Sequence, residues 1–218
     1  MKLKIYGLGC LLIFLSYGCV TSSAVPSAST ETLPKQVILS ESQELDPSEQ
    51  ILISERGIGW AQLGMTLGQL KDYEVQLAVI SPFMVDFDAI EVQEPGGITY
   101  YILYPAGETL RDSDPIQFLL TADPRCRTAA GVGPGTSLQQ ASLVYGEATL
   151  SYHTSNESRE VVSFANSPAP NIQFRTTGTP GNFAGIYPQA REEYHQTQEF
   201  KPDATIGGIF LREVRRRD

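Results

Sequence analysis

Few side chains in this sequence are equipped to carry out a reaction. It holds two histidines, His153 and His195, and three cysteines, Cys10, Cys19 and Cys126. An imidazole acting as general base needs a reacting group within hydrogen-bond reach and a partner that orients it. His153 lies in Leu150-Ser151-Tyr152-His153-Thr154, on the strand face opposite Leu150 and Tyr152, and the chain around it offers no such partner. His195 lies in the polar stretch Glu192-Glu193-Tyr194-His195-Gln196 and reads as solvated. A cysteine nucleophile needs a positioned base, and nothing near Cys126 supplies one; an unpaired cysteine reads as a small buried hydrophobe.

Two runs, Asp86-Phe87-Asp88 and Asp112-Ser113-Asp114, offer paired carboxylates, and in a strand Asp86 and Asp88 would share one face. Such a pair is a start for weak calcium binding, but neither run continues into a calcium loop with its central glycine and terminal glutamate. No cysteine and histidine cluster suits zinc. The run Gly131-Val132-Gly133-Pro134-Gly135-Thr136-Ser137 lacks the lysine of a phosphate loop, and Pro134 removes an amide that a phosphate would use. No Gly-x-Ser-x-Gly nucleophile elbow occurs. The chain is therefore expected to be no enzyme, with no metal, no cofactor and no nucleotide.

The run Thr99-Tyr100-Tyr101-Ile102-Leu103-Tyr104 says more. Period-two alternation places Tyr100, Ile102 and Tyr104 on one face and Thr99, Tyr101 and Leu103 on the other. One face covers a core; the other is either buried by a second unit or left as a contact surface, where tyrosine is favoured. Arg175 and Gln173, opposite Ile172 and Phe174, would extend such a surface. Tyr101, Leu103, His153 and Arg175 are the candidate partner-binding residues. Trp60 reads as a core anchor.

The elements that position these residues begin after an address. Residues 1–18 carry Lys2 and Lys4 and then an apolar stretch, Ile5 to Tyr17, too short to span a bilayer stably. That is an export signal. Leu15-Ser16-Tyr17-Gly18-Cys19 resembles a lipoprotein signal-peptide box, in Gly18 and Cys19 above all. The resemblance implies cleavage before Cys19 and acyl chains, palmitate among them, on Cys19. The alternatives are ordinary cleavage near Ser22-Ser23-Ala24 and an uncleaved anchor. Residues 19–50 are rich in Ser, Thr, Pro and Glu and read as a flexible tether. The net charge is −9; without Lys2 and Lys4 it is 14 basic against 25 acidic groups, or −11, which repels nucleic acid. The tail with Arg212, Arg215, Arg216 and Arg217 is locally basic and reads as solvated.

From Ile51 onward two segments look alike, Gly64-Met65-Thr66-Leu67-Gly68-Gln69-Leu70 and Gly135-Thr136-Ser137-Leu138-Gln139-Gln140-Ala141. Thr66 with Gln69, and Ser137 with Gln140, each write a capping box that opens a helix. Leu138, Ala141 and Tyr145 share a helical face, and Gly146 ends the second helix. Strands are expected at Met84 to Val92, Thr99 to Tyr104, Ile116 to Leu120, Thr149 to Thr154, Glu160 to Ala165, Ile172 to Thr176 and Ile206 to Arg212. Gly96-Gly97 makes a hairpin turn, and Thr177 to about Lys201 is expected as loop. The fold class expected is α+β, two tandem units over residues 51–125 and 126–218, each a short helix packed on an antiparallel sheet.

Gly64-Met65-Thr66 and, more loosely, Gly135-Thr136-Ser137 resemble the helix-opening turns of the SmpA/OmlA-type small lipoproteins of outer-membrane assembly. They are similar also to those of the tandem-repeat β-lactamase inhibitory proteins. The resemblance implies an open sheet face that binds another protein. The expected function is thus a lipid-anchored module of the bacterial cell envelope, facing the periplasm or exterior and binding another envelope protein. The alternatives are a carrier of small apolar ligands or lipids and an envelope hydrolase. Protein from native membranes should carry a diacyl or triacyl adduct in its intact mass, absent in Cys19→Ala; an unmodified mass starting near Ser22 to Val25 would make it a free exported protein.

Overall fold

The computed structural model describes residues 50–188 and 192–214. The expected signal, Cys19, most of the expected tether and Arg215 to Arg217 lie outside the described residues. The chain opens with three short strands, β1 (Ile51–Ser54), β2 (Gly57–Ile58) and β3 (Ala61–Gln62), and a one-turn helix α1 (Leu67–Leu70). A meander follows: β4 (Gln76–Ile80), β5 (Phe87–Gln93), β6 (Thr99–Pro105) and β7 (Phe118–Thr121). Then come β8 (Cys126–Thr128), α2 (Leu138–Tyr145), and strands β9 (Ala148–His153), β10 (Val161–Phe164), β11 (Ile172–Thr176), β12 (Tyr194–Thr197) and β13 (Ile206–Arg212).

These strands form two sheets. The smaller has the order β3-β2-β1-β8, with β1 parallel to β8. The larger is antiparallel and runs β12-β9-β10-β11-β13-β7-β6-β5-β4. Its middle is the pairing of β7 with β13, from Ile209 opposite Thr121 to Arg212 opposite Phe118. Strand pairings cross from residues before 126 to residues after it twice, at β1 with β8 and at β7 with β13.

The expected α+β class, with a short helix on each of two separate sheets, is overturned. Of the described residues 42% are in strand and 7% in helix, so the molecule is mostly β. The helices, of four and eight residues, are too short to cover a sheet. The open edges of β7 and β13 satisfy each other's backbone groups, so nine strands make one sheet.

The helix entries form as their sequences require. Gly64 and Gly135 adopt φ of +85° and +84°, which a side chain would resist. Thr66 Oγ1 accepts from Gln69 N at 3.2 Å, and Gln69 Oε1 accepts from Thr66 N at 2.8 Å, completing one capping box. At the second, Ser137 Oγ accepts from Gln140 N at 3.1 Å, but the amide takes the serine hydroxyl proton instead of returning to the backbone. The same backbone ties recur at both turns. Gly64 N donates to Ile116 O and Ile116 N to Met65 O; Gly135 N donates to Ile206 O and Ile206 N to Thr136 O.

The core lies between the inner face of the large sheet and the layer made by α1, α2 and the small sheet. Tyr100, Ile102, Leu119, Ile209, Phe174 and Leu150 supply it from the sheet, and Leu67, Leu70, Leu138 and Ala141 from the helices. Ile53, Ile58 and Cys126 join it from the small sheet. Trp60 is half-buried against this core and lies 5.4 Å from the Tyr73 ring. The strand over Tyr194–Thr197, inside the expected loop, pairs only with β9 and at the sheet edge, where alternation is not enforced by burial on both faces. Edge strand β4 likewise has two mostly exposed faces and no pattern that announces it.

Two buried carboxylates latch the core to its loops. Glu94 Oε1 accepts from Trp60 N at 2.7 Å and from the Tyr100 hydroxyl at 2.8 Å. Glu160 accepts from Ala184 N, Gly185 N and the Tyr187 hydroxyl, each at 2.8 Å, and from the Thr176 hydroxyl. Burial first, and then the adjoining carboxylate, raises the pKa of both phenols well above the ordinary tyrosine range. Replacing Glu160 with Gln turns one acceptor into a donor that faces donors. Glu160→Gln should therefore cost about 2–3 kcal/mol in urea unfolding and speed amide exchange across residues 178–187; unchanged stability would show that the latch contributes nothing.

Candidate functional site

The face of the large sheet turned away from the helices is the candidate site. Alternation along each strand sends one set of side chains to the core and the next to this outer face. Register then lines up Tyr101 of β6, Leu120 of β7, Phe210 of β13 and Gln173 of β11 in one row. An aromatic row runs beside it. The Phe87 and Phe118 rings lie 5.4 Å apart edge to face, and Phe118 stacks on Phe210 at 5.8 Å. The Arg175 guanidinium lies 5.2 Å from the Phe210 ring centre, a cation–π contact.

The segment before β5 folds over this face. Met84 exchanges two backbone hydrogen bonds with Phe87 at the start of β5. Its sulfur sits 3.6 Å from Arg175 Nη1 on β11, four strands away in the sheet order. Residues 81–86 are therefore a strap laid over part of the outer face, and the surface beside it is a trough. Phe83 of the strap lies 4.8 Å from the Tyr101 ring, and Asp86 Oδ2 lies 3.7 Å from Arg159 Nη2. Further along, a cavity of about 300 Å³ is lined by Ser151, Val161, Ser163, Gln173, Phe210 and Arg212 among others.

Charge in the trough is concentrated at one end. Arg175 pairs in register with Val161, and Arg159 precedes that residue by two positions, so the two arginines are diagonal neighbours on one face. Glu157 and Asp86 both ion-pair with Arg159. Glu157 and Ser158 hold φ of +50° and +49°, conformations rare in L-residues, in the turn that presents Arg159. Arg175 Nε is buried without a hydrogen-bond partner among the described residues. Burial, and then the charge of Arg159, lowers the pKa of Arg175. Tyr101 is shifted up, by burial first and then by the charge and hydrogen bond of Glu91 opposite it.

The four residues singled out from sequence all fall on this outer face, but not together. Tyr101 is half-buried beneath Phe83, and Arg175 lies beneath Met84. Leu103 is 2% exposed, at the floor of a cavity of about 260 Å³ lined also by Leu110, Pro115 and Phe118, so it offers almost no surface to a partner. His153 stands at the far end of β9, where its Nδ1 accepts from Ser155 N and lies 2.7 Å from the Ser155 hydroxyl. Its Nε2 is 3.8 Å from Glu193. Asp86 and Asp88 are split: Asp88 is buried and accepts from Gly107 N at 2.9 Å, while Asp86 is exposed in the strap. Asp112 pairs with Lys71, and Asp114 accepts from Arg111 N. No group of three or more potential metal ligands occurs among the described residues.

Phe210 was legible from alternation, since it sits between the core residues Ile209 and Leu211 of its own strand, whereas Phe118 opens β7 after exposed Gln117 and carried no such signal. Phe83, Met84 and Arg159 carried none either; their places follow from the strap and from the turn at Glu157. No described helix is long and apolar enough to cross a membrane. Comparison with protein-family models, with curated proteins and with solved structures finds no match for the chain.

Cys126 is fully buried in β8, and burial pushes its thiol up from 9.0 to about 11. At neutral pH its thiolate population is roughly a hundredfold below that of an ordinary cysteine. In a chain with Cys10 and Cys19 replaced by Ala, Ellman's reagent should leave Cys126 unlabelled until denaturant is added; rapid labelling of the folded protein would show an accessible, reactive thiol.

Proposed function

We propose that the chain is a non-catalytic protein-binding module of the bacterial cell envelope, held at a membrane through acyl chains on Cys19. It would present the trough of its large sheet to another envelope protein. The observation that carries this reading is the row of aromatic and arginine side chains on a face that no described helix covers. Tyrosine, phenylalanine and arginine are enriched at protein interfaces, where they bury much area for little lost rotamer freedom. In this chain such residues occupy Tyr101, Phe118, Phe210 and Arg175, all on one side of a single sheet.

The resemblance to lipoprotein families that bind proteins through an open sheet points the same way. So does the acidic balance, which turns away nucleic acid. An enzyme would need a positioned nucleophile or base, and the buried carboxylates Asp88, Glu94 and Glu160 are engaged by backbone amides, and the two glutamates by phenols as well.

The test is quantitative. A partner cross-linked to the anchored chain in native membranes should bind Tyr101→Ala and Phe210→Ala chains more weakly by about 1–3 kcal/mol each, with thermal midpoints unchanged. Equal affinity in both variants would reject this face. Co-purifying lipid in a solvent extract, seen by mass spectrometry, would move the reading to a carrier.

A further inference from the structure

The basic end of the trough specifies what a partner should bring. We infer that Arg159 and Arg175 form a carboxylate site, which takes an acidic side chain flanked by an aromatic residue from an extended segment of the partner; this rests on the trough being a protein-binding face.

The strap shows what this surface accepts. It lays an aromatic ring, Phe83, on Tyr101, a thioether, Met84, on Arg175, and a carboxylate, Asp86, beside Arg159. These are the chain's own residues occupying an aromatic, an apolar and an anionic position in sequence. The anionic contact is the loosest of the three, at 3.7 Å and with Asp86 63% exposed. Among the described residues Arg175 meets no carboxylate at hydrogen-bond distance; it contacts a ring face and a sulfur, and its buried Nε has no partner there. A guanidinium in that setting has lost water without gaining an acceptor. A carboxylate arriving over Phe210 would supply the acceptor in the planar, two-point geometry that arginine favours.

Charge at the site sharpens the choice. The chain is strongly acidic, and at this patch Arg159 already meets two of its carboxylates, Glu157 and Asp86, so the guanidinium left for an incoming acidic side chain is that of Arg175.

The probe is the capped peptide acetyl-Glu-Phe-Glu-Phe-amide, titrated into the full chain and followed by the side-chain Nε–H resonances of its arginines. The counterpart with Gln in place of each Glu is the control. The acidic peptide should bind about tenfold more tightly than the control and shift the Arg175 resonance, and Arg175→Gln should remove that advantage. Asp86→Asn, on the exposed strap, leaves the fold intact and removes one of the two carboxylates that pair with Arg159, Glu157 being the other, so acidic-peptide affinity should rise about threefold. Equal affinity for both peptides, or no gain in Asp86→Asn, overturns the carboxylate site while the trough remains a protein-binding face. If neither peptide binds but the envelope partner still depends on Tyr101, this inference alone fails. If that dependence is missing too, the functional reading fails with it. Decanoate shifting the Arg175 resonance where neither peptide does would assign the site to a lipid carboxylate and overturn a peptide partner.

Discussion

The pairing of β7 with β13 sets the architecture. Four backbone partners, from Ile209 with Thr121 to Arg212 with Phe118, close two open strand edges against each other. Unpaired edges expose a row of amides and carbonyls that must be satisfied by water or by another strand. Once these two meet, the meander β4 to β7 and the strands β9 to β11 become parts of one surface. Core and outer faces are then set for all of them together, because alternation carries across each register. The aromatic row on the outer face exists only because Phe118 and Phe210 come from the two sides of this junction.

Polar groups in the interior are handled by a similar economy of contact. Glu94 and Glu160 are nearly inaccessible, yet each meets a phenol and at least one loop amide. A buried carboxylate with several donors rigidifies whatever supplies them. For Glu160 the loop donors come from residues 184, 185 and 187, a stretch whose apolar anchors are Phe183, Ala184 and half-buried Tyr187. Beside it Tyr152 stacks on Phe183 at 4.1 Å and on His195 at 4.5 Å. His195 is thus a half-buried ring in an aromatic cluster, where the sequence suggested a solvated one.

The trough reverses that logic at Arg175. Its guanidinium lies over Phe210 with one nitrogen out of water and unpaired among the described residues. Arg159, next to it, is offered by two consecutive left-handed residues, Glu157 and Ser158. Unsatisfied donors and unusual backbone are both uncommon in ordered structure and concentrate where a protein meets something else. Here they coincide on the face that the described helices leave uncovered.

By itself the sequence determined what is local. Glycine, hydroxyl and amide at three-residue spacing wrote both helix starts, and Gly146 with φ of +82° ended the second helix. The strands Thr99 to Tyr104, Ile172 to Thr176 and Ile206 to Arg212 stand where alternation put them, with Tyr100 and Ile102 inward and Tyr101 outward. These features depend on neighbours within a few residues, which the linear order displays. Only the tertiary structure decided that two helices of one and two turns would be minor covers on a single nine-stranded sheet. It also decided that Leu103 would be buried, and that Met84 and Asp86 would reach arginines about 70 to 90 positions away. Strand edges choose partners by which backbone groups are left unpaired after the rest of the chain has folded, and sheet twist accumulates over many strands. Neither quantity is written in any short stretch of residues.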